Sequence, residues 1–363
     1  MSDFNVEVVI IDDVDGHPNA DRLDIARVKG WSIVVGKGQF KKHDLAVFFP
    51  IDSVLPESLE ALLFHDSKIK PKNGRIRTCK IRGAISQGLL ASLDGVGLPP
   101  REISGMPGSV LTEALGVVKY EPPANIQWLG GQRKKRDLNP HFHEYRDIPR
   151  LKNLPHAFKE GDPVVVTEKI HGTNFRAGWV KWEPRTLWQR VKAWFGYGQE
   201  YEFVYGSRRV QLQDKTSWDG FYQENVYSEI VRKYDLENKL VKGVVVYGEI
   251  YGDGIQKGYS YGCGPGEHKF ACFDLEIDGT EMSQSFTRNY AHSLGLPTVP
   301  VLYEGPYVHG SVVQLAAGPS VLAPSQAVRE GVVCRSPAQG QVVKIINEEY
   351  ELLQAKNDGT DYH

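Results

Sequence analysis

Residues 167–175 read TEKIHGTNF and follow the apolar run Val164-Val165-Val166, so Lys169 stands where a buried-looking strand ends and a Gly-Thr-Asn turn begins. By itself this is a lysine marking a solvated strand end. Four further segments place reactive or binding side chains in a similar way. VVVYGEIYG sets Glu249 at the end of an apolar strand, REGVVCR sets Glu330 at the start of another, QVVKIIN sets Lys344 inside a third, and ACFDL sets Phe273 beside Asp274. One charged residue beside an apolar strand is ordinarily facing water. The coincidence of all of them in one part of the chain calls for a shared use.

That shared use is nucleotidyl transfer to an amine. A lysine attacks the α-phosphate of a nucleoside triphosphate only as the free amine, so neighbouring cations or desolvation must favour loss of its proton. Lys344 would supply one such charge and offset the negative charge that develops during transfer. Glu330 and Glu249 suit Mg²⁺ or Mn²⁺, ions that keep several waters and take few carboxylates. Phe273 is an aromatic able to stack on a purine, and Glu249 is also able to receive a ribose hydroxyl.

These residues need a scaffold, and the chain is long enough for two domains at 363 residues. The first hundred residues read as short strands with Gly-marked turns (VEVVII, WSIVVGKGQF, DLAVFFPIDSVL, RTCKIRGAISQGLLASL), the pattern of a small barrel. Residues 101–160 read as a connector with a short helix near its end. From 161 to 363 β-rich segments resume, predicting an α+β domain with antiparallel sheets. Within it RTLWQRVKAWF has helical spacing of apolar residues and is expected to pack on the sheet.

Net charge of -2 excludes a uniformly basic surface and leaves local patches for nucleic acid. The cysteines Cys79, Cys263, Cys272 and Cys334 have neither CxxC nor zinc spacing, which fits a reducing, cytoplasmic setting. The N-terminus is not patterned as a signal peptide, and no run reaches the roughly 18 apolar residues of a membrane span. His141 and His143 lack further ligands at metal spacing.

EKIHGTNF resembles the Lys-x-His/Asp-Gly signature of covalent nucleotidyltransferases. With GSRR, YGEIYG, FACFDLEIDG, EGVV and VVKI following in order, residues 161–350 resemble the ATP-dependent RNA ligases of the RNA ligase 2 group. The resemblance implies an ATP-grasp-like adenylyltransferase domain in which Lys169 carries AMP and Glu168 lies against the adenine. It further implies that Phe273 stacks on the base, Glu249 meets ribose or metal-bound water, Glu330 serves the metal, and Lys344 grips the α-phosphate. Arg208, or alternatively Arg209, would reach a phosphate or the 3′-OH strand end, and Asn174 would support the later steps. Asp274 would assist sealing or make a structural hydrogen bond. Two departures stand out: His171 replaces the aspartate of many relatives, and Val342-Val343-Lys344 replaces Lys-x-Lys, so Lys344 lacks a lysine partner.

HPNADRLDIARV, WSIVVGKGQF and KIRGAISQGLL resemble tRNA-binding OB-fold modules, which would hold one nucleic-acid strand in a basic groove. Lys37, Lys41, Lys42, Lys80 and Arg82 are candidates for that groove. Trp31 and Phe40 are candidate stackers, with core packing as their commoner use. Arg133, Lys134, Lys135 and Arg136 form a basic run in the connector that would meet phosphate. The expected whole is an OB-fold β-barrel followed by a covalent nucleotidyltransferase domain: a monomeric RNA ligase acting on nicked duplex RNA or an RNA/DNA hybrid, with ATP and Mg²⁺ or Mn²⁺ and no membrane. The alternatives are a GTP-dependent capping guanylyltransferase, against which the N-terminal OB module counts, and a non-catalytic RNA-binding protein.

Overall fold

The computed structural model describes residues 4–65, 67, 70–98, 105–120, 139–184, 187–195, 198–212, 225–337 and 340–362. The chain divides into two compact units: residues 1–122, 149–156 and 348–363 form one, and residues 123–148 and 157–347 the other.

The strands of the first unit are β1 (Glu7–Ile10), β2 (Asp13–Gly16), β3 (Leu23–Val28), β4 (Trp31–Gly36), β5 (Leu45–Phe49), β6 (Ser53–Val54), β7 (Thr78–Ile81), β8 (Ala84–Gln87), β9 (Leu89–Ala91) and β10 (Val118–Lys119). They pair as the small sheets β1-β5-β9, β2-β3-β4, β6-β10 and β7-β8. WSIVVG in β4 alternates buried and half-buried positions, as a strand with one face on a core must. Trp31 (1 % exposed) and Phe40 (5 %) belong to that core, so neither is a stacking platform. Lys37, Lys41 and Lys42 are exposed together in the loop after β4. Lys80 pairs with Asp361 at 3.4 Å, and Arg82 is exposed.

The expected boundary at 161–363 differs from the observed division at its C-terminal end. The helix Glu348–Asp358 and a final strand, Asp361–Tyr362, belong to the first unit, the strand lying parallel to β7. Glu351 is one of the links: its buried carboxylate accepts from Arg150 Nη1 at 2.8 Å and from the buried Gln87 Nε2. The expected connector helix is a single 3-10 turn, Leu151–Asn153.

The second unit holds two antiparallel sheets. The strands are β11 (Pro163–Lys169), β12 (Thr173–Lys181), β13 (Tyr201–Gly206), β14 (Gln211–Leu212), β15 (Val244–Gly252), β16 (His268–Ile277), β17 (Thr280–Glu281), β18 (Val301–Pro306), β19 (Gly331–Arg335) and β20 (Val342–Ile346). The smaller sheet runs β18-β11-β19-β20 and the larger β14-β13-β12-β15-β16-β17. One face of the larger sheet, with Phe175, Ala177, Val246, Ile250 and Phe270, packs on the helices Val226–Lys233 and Gln284–Ser293 in the main core. Burying a side chain such as Phe175 or Phe270 contributes about 1.5–3 kcal/mol. Asn225 caps the first helix by accepting from Ser228 N–H at 2.9 Å, and Ser283 caps the second.

RTLWQRVKAWF does form a helix, Leu187–Trp194, but not against the sheet. Leu187, Trp188, Val191, Trp194 and Phe195 are all exposed. The hydrophobic period sets the helix; it does not say what, if anything, covers the apolar face.

Candidate active site

Strand period and register assemble the site from both sheets. Lys169 ends β11, and Ile170-His171-Gly172 carries the chain from the smaller sheet into β12 of the larger one. In the smaller sheet Thr167 pairs with Val333, Val333 with Lys344, and Lys169 with Gly331. Residues paired across strands, or two apart along one, share a face, so Thr167, Lys169, Val333, Arg335 and Lys344 point the same way. In the larger sheet Asn174 pairs with Glu249 and Arg176 with Tyr247, on the face opposite the main core.

A bulge completes that face. Tyr247 pairs with Asp274 but Gly248 pairs with Cys272, leaving Phe273 as an extra residue in β16. Such a residue shifts the alternation of the strand by one. Phe273 can therefore line the cleft while its neighbour Asp274 reaches Tyr145 Oη at 3.0 Å and Arg335 Nη1 at 3.0 Å. The Tyr145 ring packs 4.9 Å from Phe273 and 5.2 Å from Tyr247. The structural hydrogen bond foreseen for Asp274 is thus present.

The resulting cleft has about 760 Å³ of space, including its open mouth, and is lined by Lys169, Lys344, Asn174, Glu249, Phe273 and Arg208 with Glu168, Thr167, Arg335 and residues 145–148. Lys169 Nζ is 2.7 Å from Glu330 Oε1, and His171 Nδ1 is 3.6 Å from Glu330 Oε2. Burial alone would raise the pKa of Glu330, but the Lys169 ammonium and His171 outweigh it and hold the value at about 2. Glu249 behaves oppositely: burial pushes it up to about 8, with Lys169 opposing the rise and Glu330 adding to it. The pKa values of two carboxylates beside one lysine are thus driven in opposite directions. Gly172 is required at the turn, because a Cβ there would stand 2.1 Å from the Ile250 carbonyl oxygen and 2.8 Å from Glu249 Cγ.

Glu168 lines the cleft as well, with one carboxylate oxygen engaged: Oε2 accepts from the amides of Val321 and Leu322 at 2.8 and 3.3 Å, whereas Oε1 is buried and has no hydrogen-bond partner among the described residues. Arg208 reaches the cleft and pairs with Asp147 at 2.6 Å, whereas Arg209 is exposed and does not line it. Lys37, Lys41 and Lys42 belong to the other unit. Arg133, Lys134, Lys135 and Arg136 lie outside the described residues. His141 bonds Glu183 and His143 bonds Glu276, and among the described residues no cluster of three metal-ligating side chains occurs. The sequence reading missed Tyr145, Asp147 and Arg335. The first two lie in HFHEYRDI, read as connector, where the one available signal was two aromatics and two carboxylates among polar residues.

A two-sheet nucleotidyltransferase-like unit with a lysine lining its cleft, preceded in sequence by an OB-fold unit, defines the class. The sequence profile of the RNA ligase family matches residues 162–346, and that of an OB-fold domain matches residues 6–93. The chain belongs to the RNA ligase family. Among solved structures it is similar to Naegleria gruberi RNA ligase with PPi, at 21 % identity and a TM-score of 0.75, covering 98 % of this chain and 100 % of that one. A lysine-to-alanine variant of that ligase with ATP and Mn is 22 % identical, with a TM-score of 0.75 and coverage of 97 % and 99 %. A glutamate-to-alanine variant with AMP and Mn is 22 % identical, with a TM-score of 0.74 and the same coverage. Comparison with curated protein sequences gave no match. Among the described residues no helix is long and apolar enough to cross a membrane.

Proposed function

We propose that this protein is an ATP-dependent RNA ligase that seals 3′-OH/5′-phosphate nicks in duplex RNA or an RNA/DNA hybrid through a lysyl-AMP intermediate. The observation that carries the reading is Lys169 facing the cleft with Lys344 on the same sheet face, inside the part of the chain that matches the RNA ligase family. In the first step the Lys169 amine attacks the α-phosphorus of ATP, a P–N bond forms, and the bond to pyrophosphate breaks. Lys344 grips the α-phosphate and offsets its growing charge. Phe273 stacks on the adenine, and the cleft wall at Glu168 borders the base. In the second step a 5′-phosphate oxygen of RNA displaces the lysine and takes AMP. In the third the 3′-hydroxyl attacks that 5′-phosphorus and AMP leaves, with Arg208 holding a phosphate and Asn174 supporting the geometry.

An ammonium ion bonded to Glu330 is no nucleophile, so Lys169 must leave this carboxylate and lose its proton before it attacks. The oxygen donors present fit a hard divalent cation: among the described residues Glu330 Oε2 and Asn174 Oδ1 are buried without a hydrogen-bond partner, and the charge of Glu330 adds to the raised pKa of Glu249. Glu330 and Glu249 would hold Mg²⁺ or Mn²⁺, which when bound supplies positive charge to the phosphates and competes with Lys169 for Glu330. The Naegleria ligase structures with ATP or AMP and Mn support this choice of nucleotide and metal.

The duplex preference rests on an OB-fold unit preceding the ligase unit, which would grip nucleic acid flanking the nick, and it predicts sealing that slows with salt. We further read the protein as a cytoplasmic monomer; its four cysteines are free thiols, which suits a reducing compartment. The test is the intact mass of the protein and of Lys169→Ala after incubation with Mg²⁺ and ATP or GTP. An AMP adduct on the native protein alone supports the reading. A GMP adduct would move it to a capping guanylyltransferase. No adduct, in protein that did not arrive already adenylylated, would leave a non-catalytic RNA-binding protein.

A further inference from the structure

Arg208 enters the cleft from the loop after β13, and its guanidinium is held on two sides by the segment 139–148. Nη1 lies 2.6 Å from Asp147 Oδ1, and Nε donates to the Tyr145 carbonyl oxygen at 3.2 Å. That segment is itself fixed. The Tyr145 hydroxyl donates to the buried Asp274, and its ring packs against Phe273 and Tyr247. Arg176, fully buried, ties the segment to the Arg208 loop: Nη1 donates to the Phe142 carbonyl at 2.6 Å and Nε to the Ser207 carbonyl at 3.0 Å, with its guanidinium 4.0 Å from the Phe142 ring centroid.

A guanidinium has five N–H donors in one plane. With Nε and one Nη1 hydrogen engaged, its plane and direction are set while other donors remain for a phosphate oxygen. An arginine freed from these contacts would return to many rotamers, and each productive approach of RNA would have to find the right one again. We propose that Asp147 is a positioning residue of the sealing reaction: its carboxylate, together with the Tyr145 carbonyl, presents Arg208 to the phosphate at the RNA break. The inference rests on the role assigned to Arg208 above. Asp147 also puts a negative charge beside an anionic substrate, so its removal would speed the reaction if it did no more than repel RNA. The sign of the effect therefore discriminates.

The experiment is single-turnover sealing of a nicked RNA duplex supplied with its 5′ end already adenylylated, without ATP. It compares the native protein with Asp147→Ala, Asp147→Asn, Arg208→Ala and the Asp147→Ala/Arg208→Ala pair. The expected result is a loss of about tenfold to a hundredfold for Asp147→Ala, the range a misplaced positioning group produces. Asp147→Asn, which keeps an oxygen for Nη1, should recover part of the rate. The double variant should be no slower than Arg208→Ala, since both changes remove one interaction. Faster sealing by Asp147→Ala, losses that multiply in the double variant, or no recovery with Asn would each overturn the proposal. Adduct formation from ATP, measured separately on the native protein, reports on the ligase reading itself, so the two failures are distinguishable.

Discussion

Lys169 Nζ, in the wall of the cleft, and Glu330 Oε1 are 2.7 Å apart, with Glu330 buried and the Lys169 side chain 28 % exposed. The strand register brings them together: Lys169 pairs with Gly331, the residue after Glu330. Gly331 has φ +153°, and a Cβ there would stand 2.1 Å from the Ile345 carbonyl oxygen, so a glycine is needed for the strands to close on this pair.

Glu330→Gln should lower stability at pH 7 by about 3 kcal/mol, the linkage value of a carboxyl held at about 2 instead of 4.5. The folded form keeps Glu330 ionised where the unfolded chain would bind a proton. Its contribution is therefore complete above pH 4.5 and lost as pH falls toward 2. Urea unfolding of both proteins at pH 7 and pH 3 should show the gap narrowing at the lower pH; a gap that stays the same would contradict the ion pair.

Glu249→Gln should act in the opposite direction on the metal-free protein. A carboxyl raised to about 8 keeps its proton in the folded form between pH 4.5 and 8 while the unfolded chain ionises, so native stability drains away as pH rises through this window. Glutamine has no such loss. Thermal unfolding should show the variant gaining on the native protein from pH 5 to pH 8, while adduct formation with ATP falls at every pH.

Phe273→Ala should raise the ATP concentration needed for half-maximal adduct formation by about tenfold, the effect of one lost base stack. Phe273→Tyr should stay near native. A rate varied over ATP concentration separates this from damage to the catalytic step, which would lower the plateau instead.

Glu351→Ala should loosen the first unit by about 2–4 kcal/mol, because the buried Gln87 amide and the Arg150 guanidinium lose their acceptor together. Hydrogen exchange should quicken in β7, β8 and the helix Glu348–Asp358. Unchanged protection there would mean the carboxylate does not hold the C-terminal segment in place.

The sequence by itself determined the local elements and the residue types of the site. Val164-Val165-Val166 before Lys169, and the apolar run around Glu249, specify strands because β-branched and aromatic side chains favour them, and these strands carry the cleft. Local pattern cannot count residues across a sheet, however. The bulge at Phe273 exists only in the pairing of β15 with β16, and it alone puts Phe273 and Asp274 on one side. Asp147 meets Arg208 across more than sixty residues of chain, Glu351 joins Gln87 across still more, and the helix Leu187–Trp194, expected on the sheet from its apolar spacing, leaves those apolar residues exposed. Periodicity fixes which way a side chain points within its own element. What it meets there is set by tertiary packing, where burial raises the pKa of Glu249 while Lys169 and His171 overcome burial and lower that of Glu330, although both are glutamates beside an apolar strand.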